Sequence, residues 1–252
     1  MRARPRLTPP TLLAVWAHPD DEAYLAAGLM AQFIDRGGRV VVVTATRGEA
    51  GTDDPARWPP ARLAEERSRE LRESLATLGI DDVHILGFPD GGCDRFDGTD
   101  IIGHHIRRAR PDLIVTFGPD GLTGHTDHRA VSRWTTDARN AVRPQADLWY
   151  TTVTPEFHHE WGAVNDAARF FYPDQADTPR TPIDDLVHHV ALSDALLDRK
   201  YAALAAHATQ TATLIDRVGA ATYREWWRTE SFRRADITSA HLMFADLDAI
   251  AA

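Results

Sequence analysis

The sequence predicts an α/β fold in which a Rossmann-like, mainly parallel sheet is covered by helices on both faces. Two observations carry this prediction: short apolar runs rich in β-branched residues recur along the chain, and amphipathic helical segments separate them. The 252 residues are enough for one sizeable domain with a core of its own. We expect a single domain over residues 1–252, with the Rossmann-like core in 1–154 and a substrate-side lobe with C-terminal helices in 155–252.

The elements follow one another in the alternation that parallel sheets require. Strands are predicted at residues 12–17, 40–45, 83–88, 113–117 and 148–153, the first four buried on both faces. Helices are predicted at residues 22–35, 61–78, 99–110 and 128–142, and the first three stop at Gly or before Pro. Residues 155–185 are rich in Pro and Asp and are predicted as a loop system, followed by a strand at 187–192 and a helix at 194–208.

Composition excludes several classes of partner. Lys and Arg number 28 against 37 Asp and Glu, and the formal charge of -9 repels nucleic acid and anionic membranes. Cys93 is the single cysteine, so no internal disulfide can form, in agreement with a reducing cytoplasm. The first apolar run breaks at His18, well short of the roughly 18 residues of a membrane helix. We therefore expect a cytoplasmic protein that acts on a small molecule, with homo-oligomer formation left open.

Metal-binding groups follow the first predicted strand directly, in His18-Pro19-Asp20-Asp21-Glu22. In open parallel sheets, ligands bind beyond the carboxyl ends of the strands. A nucleotide-dependent oxidoreductase would have G-x-G-x-x-G at this turn, and the sequence does not. One imidazole and two carboxylates suit a cation such as zinc, and the spacing of His18 and Asp21 lets both reach one ion. The alternative is that Asp20 or Asp21 merely caps the next helix.

A second cluster, His125, Asp127 and His128, follows the fourth predicted strand and should therefore reach the same edge of the sheet. It can supply the third ligand. A His, Asp, His set leaves the fourth tetrahedral position open for water, as a catalytic zinc site requires. The histidine pairs at residues 104–105, 158–159 and 188–189 lie in or beside amphipathic segments, and we expect them to be structural or solvated.

These two clusters resemble those of the LmbE-like, or PIG-L, family of metal-dependent N-deacetylases, which includes the mycothiol- and bacillithiol-pathway enzymes. Two further segments, residues 46–51 and 200–210, resemble the family's second-strand loop and its C-terminal Lys, Ala-Leu, His, Gln helix. The resemblance implies hydrolysis of an N-acyl group, above all N-acetyl, from an amino sugar or glucosaminide-type small metabolite. It also implies one Zn²⁺ per chain, with other divalent metals as alternatives.

The resemblance assigns roles to the residues of both clusters. His18, Asp21 and His128 correspond to the metal ligands, and Asp20 to the general base. His125 corresponds to a second catalytic histidine, which Asp127 would orient and keep charged. One branch of the family has a tyrosine two positions before this histidine, where the present chain has Thr123.

Substrate contacts are implied for Glu49, Arg67 and Asp90, which match family positions that bind sugar or polyol hydroxyls. The alternative for Arg67 is an ordinary charge on the surface of its helix. Two other functions are kept in view: an amidase for a larger thiol conjugate, and a non-catalytic carbohydrate-binding relative. The latter would be expected to lack Asp20 or His125, and both are present.

Overall fold

A computed structural model describes residues 9–168 and 180–235 of the chain. Within this part, seven strands form one sheet in the order β3-β2-β1-β4-β5-β7-β6. The strands are β1 (Thr11–Trp16), β2 (Arg39–Thr46), β3 (Val83–Phe88), β4 (Leu113–Phe117), β5 (Asp147–Thr152), β6 (His188–Ala191) and β7 (Thr229–Arg234). The first five are mutually parallel, and β7 pairs antiparallel with both β5 and β6. The predicted Rossmann-like, mainly parallel fold is therefore confirmed.

Helices pack on the sheet and on one another. They are α1 (Asp21–Asp35), α2 (Pro60–Thr77), α3 (Thr99–Ala109), α4 (Thr126–Val142), α5 (Pro155–Ala168), α6 (Asp194–Ala206), α7 (Ala208–Val218) and α8 (Ala220–Trp226). Helix α1 is buried on nearly all sides because α6 covers the side that faces away from the sheet. Among the described helices, none combines the length and the hydropathy that a membrane-spanning helix needs.

Three sequence predictions need correction. Residues 155–168, expected to be loop, form α5, and residues 169–179 of the same segment lie outside the described residues. Strand β3 is half-buried rather than buried on both faces, because it lies at the sheet edge and pairs with β2 alone. Strand β7 was not predicted, since Thr229–Arg234 carries four polar or charged side chains in addition to a threonine. It is the strand that joins β6 to the sheet.

The strand order places the candidate site. From β1 the chain proceeds outward to β2 and β3 on one side, and then returns to add β4 and β5 on the other. The connections after β1 and β4 therefore diverge at a topological switch point, where a crevice opens beyond the carboxyl ends of the strands. His18 lies two residues beyond the end of β1, and the second cluster lies in the connection from β4 to α4.

Candidate metal and catalytic site

A cavity of about 340 Å³ lies at this switch point, and both polar clusters line it. Its wall includes His18, Asp20, Asp21, Arg67, Asp90, His125 and His128. Tyr24 and Gln210 also line this cavity, although neither was predicted as a site residue. Tyr24 lies three residues after Asp21 on α1, which is the spacing that puts two side chains on one helix face.

The three predicted metal ligands lie within contact distance of one another. His18 Nδ1 is 3.2 Å from His128 Nε2 and 3.6 Å from Asp21 Oδ2, and His128 Nε2 is 3.4 Å from Asp21 Oδ1. Among the described residues, two overlapping groups could hold a cation: His18 with His125 and His128, and His18 with Asp90 and Asp127. Within each group the ligand atoms all lie within 4.8 Å of one another. A metal site around His18 is thus supported by the geometry, while the choice among these ligand sets remains a prediction.

The second ring nitrogen of His18, and likewise that of His128, has a hydrogen-bonding partner of its own. His18 Nε2 is 3.1 Å from Asp90 Oδ1 and 3.3 Å from Asp127 Oδ2. His128 Nδ1 lies 3.0 Å from the Gly121 carbonyl, which can only accept a hydrogen bond. The proton of His128 therefore belongs on Nδ1, and the lone pair of Nε2 faces Asp21 and His18. Histidines that bind metals are held in this way, with the other ring nitrogen donating to an oxygen.

Carboxylates outnumber cations around His18. Burial alone would lower the pKa of His18, but hydrogen bonds to Asp127 and Asp90 and the charge of Asp21 raise it to about 10. Burial raises the pKa of Asp21 to about 7 despite the opposing charge of His18. For Asp90, burial is outweighed by the hydrogen bond and the charge of His18, and the pKa lies below its usual range. The cluster thus holds positive charge strongly, as a cation site should.

Asp127 acts on His18 more than on His125. Its carboxylate accepts hydrogen bonds from the backbone N–H groups of Gly91 (2.8 Å) and Cys93 (2.9 Å). Its contact with the His125 ring is through the backbone, where Asp127 N donates to His125 Nδ1 at 3.1 Å. Burial and the charge of His18 lower the pKa of His125, although Asp127 acts in the opposite direction. This differs from the expectation that Asp127 keeps His125 charged.

Asp20 lies in a strained turn, and Arg67 contacts both its carboxylate and the neighbouring backbone. Its backbone has φ 123°, a value that residues other than glycine rarely adopt. Arg67 lies 3.2 Å from Asp20 Oδ2 and donates to the carbonyls of Pro19 (2.5 Å) and Gly48 (2.9 Å). Only 3% of Arg67 is exposed, so it is not a surface charge of α2.

The helix-cap alternative is not supported for the two aspartates. Asp20 makes no side-chain cap hydrogen bond to α1, and Asp21 Oδ2 instead accepts from the backbone N–H of His18 at 2.8 Å.

Of the predicted substrate contacts, Asp90 faces the cavity, and its backbone N–H donates to Glu49 Oε1 at 3.0 Å. Glu49 lies behind Asp90 and does not line this cavity. Thr123 Oγ1 lies 3.2 Å from His128 Nδ1.

Comparison with known proteins shows the family of this chain. The family model described as GlcNAc-PI de-N-acetylase, PIG-L, matches residues 13–139, which contain all the predicted site residues. A 1D-myo-inositol 2-acetamido-2-deoxy-α-D-glucopyranoside deacetylase of Mycobacterium sp. (strain JLS) is 32% identical over 230 residues, covering 80% of this chain and 74% of the relative. The chain belongs to the PIG-L family. The predicted family and the predicted enzyme class, an N-deacetylase, are confirmed.

Solved structures share the fold of this PIG-L family member. The N,N′-diacetylchitobiose deacetylase from Pyrococcus horikoshii aligns with a TM-score of 0.61 at 18% identity, over 89% of this chain and 83% of that one. The zinc inhibited form of teicoplanin deacetylase Orf2 aligns with a TM-score of 0.62 at 17% identity, over 90% and 100% of the two chains. At these identities the likeness concerns the fold alone.

Proposed function

We propose that this protein removes the acetyl group from an N-acetylglucosaminide with a polar aglycone, in a reaction that requires one divalent metal, with zinc as the first candidate. The observation that carries the proposal is the convergence of His18, Asp21 and His128 in one cavity that Asp20 also lines. Substrates of this type are named for the mycobacterial relative, a deacetylase of an inositol glycoside of N-acetylglucosamine.

The donor set fits zinc. Two imidazole nitrogens and one carboxylate are common zinc ligands, and a site with three protein ligands leaves a position for water or substrate. In our proposal His18, Asp21 and His128 hold the metal, and Asp127 and Asp90 orient His18 through its Nε2 atom. A bound zinc would supply Lewis acidity and lower the pKa of water to about 7.

The chain's own residues supply the proton transfers. Asp20 accepts the proton of the attacking water, and Arg67 fixes its carboxylate. His125 lies beside both metal-ligand histidines, with ring centroids 4.6 Å from His18 and 5.2 Å from His128. From there it stabilises the charge that develops on the amide oxygen and passes a proton to the leaving amine. This assignment requires His125 to gain its proton when substrate binds.

The cavity also suggests how the sugar is held. Asp90 and Gln210 line it from two sides, and both can hydrogen-bond to hydroxyl groups. Asp90 is fixed for this role by Glu49 from behind and by the Ala50 amide, which donates to Asp90 Oδ2 at 2.8 Å. We therefore keep Asp90 as a substrate contact and assign Glu49 to its support. Arg67 is committed to Asp20 and two carbonyls, so its primary effect is on the reaction.

An assay of the primary amine freed from the sugar tests the proposed function, because deacetylation and cleavage of a conjugate both release this amine. The zinc-loaded protein is assayed with free N-acetylglucosamine, N,N′-diacetylchitobiose, an inositol glycoside of N-acetylglucosamine, and an N-acetylcysteine conjugate of the deacetylated inositol glycoside. We expect kcat/KM to be at least about tenfold higher for a glycoside than for the free sugar, because contacts with the aglycone help to position the amide. Cleavage of the conjugate alone would favour the amidase alternative, and no turnover with zinc bound would contradict the proposal.

A further inference from the structure

Apart from Gln210, the C-terminal motif in residues 200–210 has no place in the mechanism so far. Its histidine, His207, lies between α6 and α7, is fully buried and does not line the cavity. Its Nε2 atom lies 2.6 Å from Glu22 Oε1, and Glu22 is also fully buried. These two residues are 185 positions apart in the sequence, so this contact fastens the C-terminal helices to the first turn of α1.

Glu22 connects this contact to Asp20. Its Oε1 atom also accepts a hydrogen bond from Ser74 Oγ on α2, at 3.1 Å. Its other oxygen, Oε2, accepts the backbone N–H of Asp20 at 2.9 Å. The buried Glu22 carboxylate is thus held at Oε1 by Ser74 and His207. Its Oε2 atom holds the backbone of Asp20, the proposed general base. Because both oxygens are engaged in different directions, the carboxylate cannot rotate without losing one of these contacts.

Asp20 needs such support because of its backbone conformation. Its φ of 123° is rarely adopted by a residue with a side chain, and such residues persist only where the surrounding structure holds them. Arg67 fixes the carboxylate of Asp20 and the carbonyl of Pro19, while Glu22 fixes the Asp20 amide. The turn is therefore held from both sides, by an arginine of α2 and by the Glu22–His207 pair.

We propose that Glu22 and His207 are positioning residues for the deacetylation reaction, which set the direction of the Asp20 carboxylate through the Asp20 backbone amide. Neither residue touches the cavity; both act through Asp20. The inference rests on the role that the proposed function gives to Asp20. If His207 were merely structural, it would serve only the packing of α6 and α7. In our proposal it also affects the reaction.

Amide hydrogen exchange tests the contact independently of activity. In the full-length, zinc-loaded protein, the exchange rate of the Asp20 amide is measured relative to that of Leu13 in β1, which reports global opening. Glu22→Met removes the carboxylate that accepts from both Asp20 and His207, and His207→Leu removes the ring N–H donor without supplying another. We expect the ratio to rise at least about tenfold in both variants.

The matched control for these two variants is Thr211→Val, which removes buried hydrogen bonds to the Leu204 and His207 carbonyls in the same helix junction. Its ratio should match that of the wild type, and an unchanged ratio in the two test variants would overturn the proposal.

A double-mutant cycle tests the action through Asp20. We expect His207→Leu to lower kcat about tenfold with KM and zinc content unchanged, and to cause no further loss in the Asp20→Asn background. Thr211→Val should leave kcat unchanged. If the losses of His207→Leu and Asp20→Asn multiply, His207 does not act through Asp20 and the proposal is wrong. If Asp20→Asn itself is fully active, the proposed role of Asp20 fails, and the exchange ratio still decides whether the pair holds the turn.

Discussion

His18 uses its two ring nitrogens for two different tasks. Nδ1 faces His128 and Asp21, while Nε2 faces the carboxylates of Asp90 and Asp127. Asp127 is fully buried and is held by two backbone amides, so it is the more rigid of the two carboxylates. In the proposed metal site it would therefore fix the ring orientation of His18.

We expect Asp127→Asn to weaken zinc binding about 10- to 100-fold, because partners behind a metal ligand typically contribute that much. Competition titration with a chelator of known affinity measures the change. The control is Asp82→Asn, which alters a carboxylate beside His84 at the sheet edge, outside the cavity. Equal zinc affinity in wild type and Asp127→Asn would mean that Asp127 does not orient a ligand.

His128→Ala should abolish stoichiometric zinc binding, since it removes one of three ligands from the proposed set. Metal analysis after dialysis gives the zinc content per chain. His104→Ala, at an exposed position on α3, should keep one zinc. Retention of one tightly bound zinc by His128→Ala would instead favour the group formed by His18, Asp90 and Asp127.

The sequence could predict His18 and His128 because each follows a buried strand, and the carboxyl ends of parallel strands share one edge. Arg67 could not be placed by the same reasoning. It lies in residues 65–70, five of which are charged, a pattern typical of an exposed helix face, yet it is buried against Asp20. The contact between Glu22 and His207 joins distant parts of the chain, and no local pattern indicates it.

Among the helices, α6 is anchored to the core by a buried ion pair, in addition to the Glu22–His207 pair at its C-terminal end. Lys200 Nζ lies 2.8 Å from Glu230 Oε1 of β7, and both side chains are almost fully buried. The Glu230 carboxylate also accepts the backbone N–H groups of Gly28 and Leu29 on α1, each at 2.8 Å. This arrangement explains why β7 escaped prediction: its buried positions are filled by polar side chains that depend on partners elsewhere.

Lys200→Met should lower the free energy of unfolding by about 3–5 kcal/mol, because it leaves a buried carboxylate without its counter-charge. Urea denaturation measures the loss. The neighbouring Arg199 forms a more exposed pair with Asp35 of α1, so Arg199→Met is the matched control and should cost less than about 1 kcal/mol. Similar losses in the two variants would show that burial of the Lys200 pair has little effect on stability.

At the scale of the whole molecule, the order of the strands brings the functional residues together. Residues after β1, β3 and β4 line one cavity, although they are spread over more than a hundred positions of sequence. The alternation of strands and helices was sufficient to predict this edge of the sheet. It could not predict which helices would close over it, because α7 contributes Gln210 through packing that the sequence pattern does not show.

In our proposal Asp20 is the general base of a metal-dependent deacetylase and does not itself hold the metal. The most direct test measures zinc content and acetate release together in Asp20→Asn. We expect one zinc per chain, as in the wild type, and a loss of kcat on the order of 10²- to 10⁴-fold, which is the range of general base catalysis. Wild-type turnover at full zinc occupancy would contradict the claim, and so would loss of the zinc itself.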